Sequence, residues 1–413
     1  MGHPPAAAAP SPHAWPSEGR TRVPYWIYTD PDLYRRELDR FFYGPTWNYA
    51  ALSCEVPAPG DFKRHWIGER SVVVVRGDDG SVAVLENLCA HRGSQVVWAE
   101  RGSAKHLTCP YHQWCYSLRG ELIGVPLRRG VQGRGGLPDD FDPAAHRMRR
   151  LRSIERNGVV WASFAEDAPD FAAYCGEMLE MIDRLFDGRP LRLLGYQRQR
   201  LRCNWKMYME NLKDPYHATL LHTFYITFGL WRADNRARML NASEGRHGVM
   251  VSENTGRATS AATGEMSRFG HGLALEDMSL VTPIPEFADG RIGGGTVHPS
   301  LVVQQQANSL AVRHVIPRGV DATELVWVFF GYADDSDEMT LRRLKHANLV
   351  GPAGLVSIDD SEVLKQCQAA ADGYAGRAAF LEMGGRGTEP ADHMVTETMI
   401  RGFYEHYRRV MEL

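Results

Sequence analysis

Two carboxylates and two imidazoles, Glu210, Asp214, His217 and His222, share the segment ENLKDPYHATLLH, residues 210–222. Groups of these types at this density can make a metal site, an acid/base pair, or the polar positions of a helix. The segment alone does not choose, because Asp and His also serve as caps and surface residues. Far upstream, Cys89-Ala-His91 and Cys109-Pro-Tyr-His112 each set a thiolate beside an imidazole, with 17 residues between His91 and Cys109. Two such pairs on two loops can close round one cofactor.

Zinc accepts a Cys2His2 set, but classical fingers keep the two Cys together and the two His together. Here each loop mixes the types. A [2Fe-2S] cluster with two thiolates on one iron and two imidazoles on the other, the Rieske arrangement, matches C-x-H…C-x2-H. CAHRGS and CPYHQWCYS are similar to the cluster loops of Rieske proteins, and GELIGVP (120–126) resembles their proline-bearing loop over the cluster. His106 breaks the spacing and reads as a surface histidine. Cys115, just past the second loop, reads as a small buried residue.

A Rieske centre passes single electrons and does no chemistry on a substrate by itself. Roughly 250 residues follow it, more than an electron carrier needs, so a second reactive centre is expected. Two imidazoles and one carboxylate on one face of Fe(II) leave positions open for dioxygen and substrate. His217 and His222 lie about 140° apart round a regular helix. A helix carrying both must therefore be bent or bulged, and Pro215 supplies a reason.

ENLKDPYHATLLH resembles the iron-binding segment of the large (alpha) subunits of Rieske non-haem iron ring-hydroxylating oxygenases. That resemblance implies that His217 and His222 bind a mononuclear Fe(II). It implies that Asp214 links an iron-ligand histidine to a Rieske histidine of a neighbouring subunit, and that Asn211 is an active-site asparagine near the iron. GPAGLVSIDDSEVL (351–364) resembles the family segment whose second Asp is the third ligand, which gives Asp360, with Asp359 as the fallback. Asp359 and Ser357 also suit as caps of the helix that follows. Glu210 is expected to hold a neighbouring group by hydrogen bonds.

The resemblance covers almost the whole chain. GDFKRHWIGERSVVVVR, FGLWRADN, QQQANS, GPAGLVS and DHMVTETMIRG are most similar to salicylate 5-hydroxylase large subunits, and next to those of anthranilate 1,2-dioxygenases. It implies hydroxylation of an aromatic carboxylate with O2 and electrons from NAD(P)H through a reductase and a ferredoxin. Salicylate to gentisate is the favoured reaction. Dihydroxylation of anthranilate or another ortho-substituted benzoate to a catechol is the alternative, and a pure electron-transfer Rieske protein is a remote one. Trimers of alpha, often with three small beta subunits, are implied as the assembly. In LVVQQQANS, strand alternation puts Gln304 and Gln306 on the face opposite Val303 and Gln305. Gln306 is the candidate to meet the substrate's carboxylate or ortho group, against the plain alternative of a glutamine paired to backbone or lining a subunit contact. Val350 and Val356 fall where the family places pocket walls.

The elements that must position these groups divide the chain. A β-rich stretch carries SVVVV (71–75), SVAVLEN (81–87) and GVVWASF (158–164), separated by turn-forming sequences such as GDDG (77–80). Helical periodicity follows at 171–186, then strands at 301–306, 310–316 and 324–330 with turn-length gaps that suit an antiparallel sheet. Helices are expected at 337–350, 361–372 and 393–411. The fold class is α+β, an all-β Rieske domain before a catalytic domain whose antiparallel sheet is covered by helices, which the resemblance makes a helix-grip, START-like fold. The expected divisions are a disordered Ala/Pro-rich leader (1–19), an N-terminal segment packing on the catalytic domain (20–46), the Rieske domain (47–166) and the catalytic domain (167–413).

With 413 residues and 44% hydrophobic content, there is material for a buried cofactor site. Lys and Arg (47) nearly balance Asp and Glu (50) with no long basic run, which argues against a nucleic-acid partner. Seven scattered cysteines argue against a disulfide framework. No signal-peptide pattern or window of about 18 apolar residues is present, so a cytoplasmic, non-membrane protein is expected.

Overall fold

The structure is a computed structural model that describes residues 14–228, 231, 233, 235–253, 273–287 and 291–413. In the first half, β3 (Asp61–Ile67), β4 (Arg70–Arg76), β5 (Val82–Glu86) and β6 (Arg101–Ser103) form an antiparallel sheet in the order β5-β4-β3-β6. The valines 72–75 are all buried because β4 is an inner strand covered on both faces, the situation an unbroken apolar run signals. β2 (Asn48–Leu52), β10 (Arg152–Arg156) and β11 (Val159–Ser163) make a second sheet. β7 (Leu107–Thr108), β8 (Cys115–Tyr116) and β9 (Leu122–Gly124) make a third.

The second half is built on a seven-stranded antiparallel sheet of β12 (Leu191–Leu201), β13 (Arg236–Ala242), β14 (His247–Glu253), β15 (Arg291–Val297), β16 (Leu301–Gln306), β17 (Ser309–Pro317) and β18 (Thr323–Tyr332). Their order is β12-β18-β17-β16-β15-β14-β13. One face packs on α2 (Phe171–Cys175) and α3 (Met178–Leu185), with Leu310 and Val312 of β17 pointing that way. A Cβ on Gly295 would lie 2.3 Å from Met178 Cε, so the Met178 side chain of α3 fills the space that this glycine leaves on the sheet. The other face, including Ala311 and Val315, packs on α4 (Trp205–Asn211), α7 (Asp337–Val350) and α8 (Ser357–Gly373). α9 (Thr398–Met411) closes over β13.

The N-terminal segment is bound to this second half. β1 (Arg22–Pro24) pairs with β19 (Ala378–Phe380). At the end of α1 (Pro31–Glu37), Glu37 accepts from Trp205 Nε1 at 2.8 Å and pairs with Lys206 Nζ at 2.7 Å, with Glu37 and Lys206 both fully buried. Of the leader expected to be disordered, residues 1–13 lie outside the described residues, but 14–19 are ordered. The Trp15 ring packs 6.5 Å from Trp26 and 5.9 Å from Tyr404, and burying an indole repays the ordering of so short a piece.

Three expected helices differ in extent. The stretch 171–186 is broken at Gly176, which takes φ 52° between α2 and α3. The helix expected at 361–372 starts at Ser357, whose carbonyl accepts from Ser361 Oγ. The one expected at 393–411 starts only at Thr398, because Thr396 Oγ1 accepts from the Thr398 amide and turns the chain locally. Among the described residues no helix is long and apolar enough to cross a membrane.

Candidate metal centres and substrate cavity

The two Cys/His loops share one backbone design. The Cys89 amide donates to Ser94 O at 2.8 Å and the Gly93 amide to Cys89 O at 2.9 Å; the Cys109 amide donates to Trp114 O at 2.9 Å and the Gln113 amide to Cys109 O at 3.0 Å. Gly93 and Gln113, each four residues past its cysteine, both take positive φ, 73° and 60°. These turns bury both cysteines, while His91 is exposed and His112 half-buried with ring centroids 4.5 Å apart. Tyr116 OH lies 3.2 Å from Cys89 Sγ, and the indole of Trp114 stacks on His91 at 4.8 Å. Val125 of the GELIGVP stretch packs on the same apolar cluster as the two cysteines. Two buried sulfurs and two outer imidazoles suit a two-iron cluster that would be held by the thiolates on one iron and the imidazoles on the other. His106 is exposed, and Cys115 is half-buried with Thr108 Oγ1 at 3.7 Å.

The segment 210–222 is broken rather than bent. α4 ends at Asn211, α5 (Pro215–Ala218) is a single turn, and α6 (Thr223–Thr227) begins after His222. Asp214 makes the break. Its Oδ1 accepts from the amides of Tyr216 (2.9 Å) and His217 (3.3 Å), and Pro215 occupies the first helical position, where its missing N–H costs nothing. His222 sits in the link before α6, which frees it from the 140° problem.

His217, His222 and Asp360 offer three donor atoms within 4.8 Å of one another, the one such group of three among the described residues. Asp360 Oδ1 lies 3.3 Å from His217 Nε2 and 3.4 Å from His222 Nε2. Behind each ring stands a second carboxylate: Asp214 Oδ2 is 3.4 Å from His217 Nδ1, and Asp359 Oδ2 is 3.4 Å from His222 Nδ1. The Asp214 contact is close enough for ion pairing but not aligned as a hydrogen bond. Asn211 Nδ2 donates to Asp360 Oδ1 at 3.2 Å. Burial opposes protonation of His217, yet Asp214 and Asp360 outweigh it and lift its pKa to about 10. Burial likewise raises Asp360, but His217, His222 and Asn211 bring it below the usual carboxylate range. Two imidazoles and a carboxylate that share a proton in this way fit a divalent cation, which takes over that proton's place.

Glu210 does not touch the triad. Its Oε1 accepts from Tyr28 OH at 2.8 Å and from Tyr404 OH, tying α4 to the N-terminal segment and α9. Burial, partly offset by these hydroxyls, pushes it up to about 7.

A cavity of about 90 Å³ lies on the face of the sheet that packs on α4, α7 and α8, lined by Leu212, Trp231, Thr296, Gln304, Gln306 and Arg313 among others. Gln306 and Trp231 also border a small chamber that reaches Tyr225 and Val350. Tyr225 leads to the triad, its ring centroid 5.8 Å from that of His222. Gln304 and Gln306 do face the cavity side, while the Gln305 side chain turns to Arg184 at α3. Val356 is buried just before Ser357 and lines neither chamber. On the outer side, Asp214, His217, Asn211 and Glu210 border a groove of about 310 Å³. A larger cleft of about 690 Å³ beside Glu177, Arg184 and Arg238 contains no triad residue, so its size does not locate the chemistry. Sequence reasoning missed Arg313 and the place of Asp359 behind His222; the alternation that turned Gln304 inward also turns Arg313 inward.

Residues 46–134 match the Rieske [2Fe-2S] domain family, and residues 184–413 match the family of ring hydroxylating alpha subunit catalytic domains. The chain is 46% identical over 405 residues to the large oxygenase component of a salicylate 5-hydroxylase from Ralstonia sp, covering 96% of each chain. It is 42% identical to the anthranilate 1,2-dioxygenase large subunit of Burkholderia cepacia, covering 96% of this chain and 95% of that one. A solved naphthalene 1,2-dioxygenase from Rhodococcus sp. bound to indole shares the fold, with TM-score 0.78 at 24% identity over 94% of each chain. Both family matches fall on the regions where the donor groups gather, and with relatives of this identity over nearly their whole length, the chain belongs to the large (alpha) subunits of the Rieske non-haem iron ring-hydroxylating oxygenases.

Proposed function

We propose that the chain is the oxygenase component of a multicomponent system that hydroxylates salicylate to gentisate in the cytoplasm. The observation that carries this reading is the near-full-length identity of 46% to a salicylate 5-hydroxylase large component. The polar wall of the cavity, made by Gln304, Gln306 and Arg313, supports it. Cys89 and Cys109 would hold one iron of the [2Fe-2S] cluster and His91 and His112 the other, and His217, His222 and Asp360 the mononuclear iron. When bound, the cluster supplies single electrons and the mononuclear iron supplies dioxygen activation at the positions the three ligands leave open.

The chain's own residues position these events. Cys89 and Cys109 are buried, which keeps their sulfurs from water, while His91 is exposed and His112 half-buried. Asp214 stands behind His217 and borders the outer groove. There its carboxylate can receive the N–H of a Rieske histidine from a neighbouring alpha subunit, within an α3 or α3β3 assembly. Asn211 holds Asp360, and Gln306 and Val350 border the substrate's space. Electrons would come from NAD(P)H through a reductase and a ferredoxin.

The test is turnover of salicylate, anthranilate and benzoate with a competent ferredoxin and reductase, with each product identified. Gentisate from salicylate is expected. A catechol from anthranilate, with salicylate untouched, would replace this reading by dihydroxylation, which the 42% identity to an anthranilate dioxygenase subunit favours as the second choice.

A further inference from the structure

We propose that Arg313 is the counter-ion for the substrate's carboxylate, and that Gln304 beside it accepts the hydrogen bond of an ortho hydroxyl or amino group. The proposal rests on the reading of this cavity as one for an aromatic carboxylate.

Arg313 lies on β17 between buried neighbours, Val312 and His314, yet is itself only half-buried, because it borders the cavity. Its guanidinium lies 3.9 Å from the Trp327 ring centroid, and one terminal nitrogen donates to Tyr208 OH at 3.3 Å. Its Nε–H is buried without an acceptor, and no carboxylate among the described residues pairs with it. A guanidinium has five N–H donors, and a charge held in such surroundings without a partner is costly. Other buried cations are matched: Arg343 by Asp335 and Glu286, Lys206 by Glu37, Lys63 by Glu55. Arg401 is matched by the carbonyls of Leu381, Met383 and Gly387. Lys213 has no carboxylate partner among the described residues either, but it donates to Thr296 Oγ1 and does not border the cavity.

Gln304 is the diagonal neighbour of Arg313, since Val302 pairs with Arg313 and Gln304 with Ala311. Diagonal positions are about 7–8 Å apart, within reach of long side chains. Gln304 Nε2 donates to Gln306 Oε1 at 2.6 Å, which leaves Gln304 Oε1 buried with no donor. The wall therefore sets an unmet donor beside an unmet acceptor. A ring with a carboxylate and an adjacent O–H or N–H presents the complement. The site also leads toward the triad: Gln306 and Trp231 border the chamber that reaches Tyr225, whose ring centroid lies 5.8 Å from that of His222.

The test is anaerobic calorimetric binding to the purified holoenzyme of salicylate, anthranilate, benzoate and their primary amides, with cluster absorbance and iron content verifying the fold. Wild type should prefer each acid to its amide. Arg313→Gln should weaken acid binding about 100-fold and leave amide binding unchanged. Arg313→Lys, which keeps charge but not the fork, should retain only part of the preference. Gln304→Leu should erase the preference for salicylate over benzoate while keeping that for acids over amides. No acid preference in wild type, or an acid preference unchanged in Arg313→Gln, overturns the proposal; if that variant fails to fold, an unchanged preference in Arg313→Lys overturns it instead. A wild type that prefers acids through Arg313 but makes no gentisate leaves this proposal standing and removes the salicylate reading.

Discussion

Asp359 Oδ2 lies 3.4 Å from His222 Nδ1, on the side of the ring away from Asp360, and Asp214 stands to His217 at the same distance. Each imidazole is thus turned with Nε2 toward the shared carboxylate and Nδ1 toward a private one. A carboxylate on the far nitrogen fixes the tautomer and strengthens the ring as a metal donor. Asp359→Ala is expected to weaken iron retention about 10–100-fold with cluster absorbance unchanged, read as iron content after dialysis against graded chelator. Asp360→Ala, which removes a donor itself, should lose iron without any chelator. Wild-type retention in Asp359→Ala would show that its contact with His222 is incidental.

Asp214 does two jobs with two oxygens: Oδ1 caps α5 while Oδ2 faces His217. Asn is as good a cap as Asp, so Asp214→Asn should keep the local fold and the cluster, weaken iron retention no more than Asp359→Ala does, and nearly abolish product even with iron resupplied, because the charge that the proposed bridge needs is removed. Asp214→Ala should also lose about 1 kcal/mol of stability with the cap. Product per electron supplied, together with iron content, separates the two. Normal turnover by Asp214→Asn would refute the bridging role.

Elements with local signals were legible: the strand 301–306 and the helix 337–350 have the expected bounds, because a β-branched run ended by the Ala-Asn turn and an N-cap serine, Ser336, mark them locally. The break at Gly176 was not, since an amphipathic pattern runs through it and only the backbone, with φ 52° there, reveals the stop; at Pro215 an irregularity was expected, and the structure makes it a full break because Asp214 caps a new helix. At the triad, residue types pointed to His217 and His222, and the family resemblance to Asp360, with Asp359 as the fallback. Which Asp meets the Nε2 atoms and which meets Nδ1 is decided by the pitch of α8 against a segment 137 residues away, and no local pattern carries that. Arg313 escaped notice for a related reason: one charge in a strand reads as an outward residue until the helices covering that face are seen.

The buried Tyr116 hydroxyl lies 3.2 Å from Cys89 Sγ, close enough to donate to a cluster-bound thiolate. A hydrogen bond to sulfur withdraws electron density and favours the reduced cluster. Tyr116→Phe is therefore expected to lower the cluster's reduction potential by tens of millivolts with little change in its absorbance. Potentiometric titration followed by the reduced-state EPR signal checks this. An unchanged potential would mean that the hydroxyl serves the Ala90 amide, which also donates to it at 3.1 Å, and not the sulfur.

Lys213 is almost fully buried, donates to Thr296 Oγ1 and lies 5.5 Å from the Phe403 ring centroid, with no carboxylate of the described residues paired to it. Burial alone lowers its pKa from 10.5 to about 7. Between those values the unfolded chain binds a proton that the folded chain has released, so this group makes stability rise with pH across that window. Below about 7 the folded protein carries the full cost of a buried ammonium. Lys213→Met, which keeps the stem and removes the charge, should therefore be more stable than wild type at pH 6, by about 2 kcal/mol. The advantage should shrink toward pH 9. Paired thermal melts at the two pH values check it, and a constant difference between variant and wild type would mean that Lys213 stays charged throughout, with a partner that its buried position conceals.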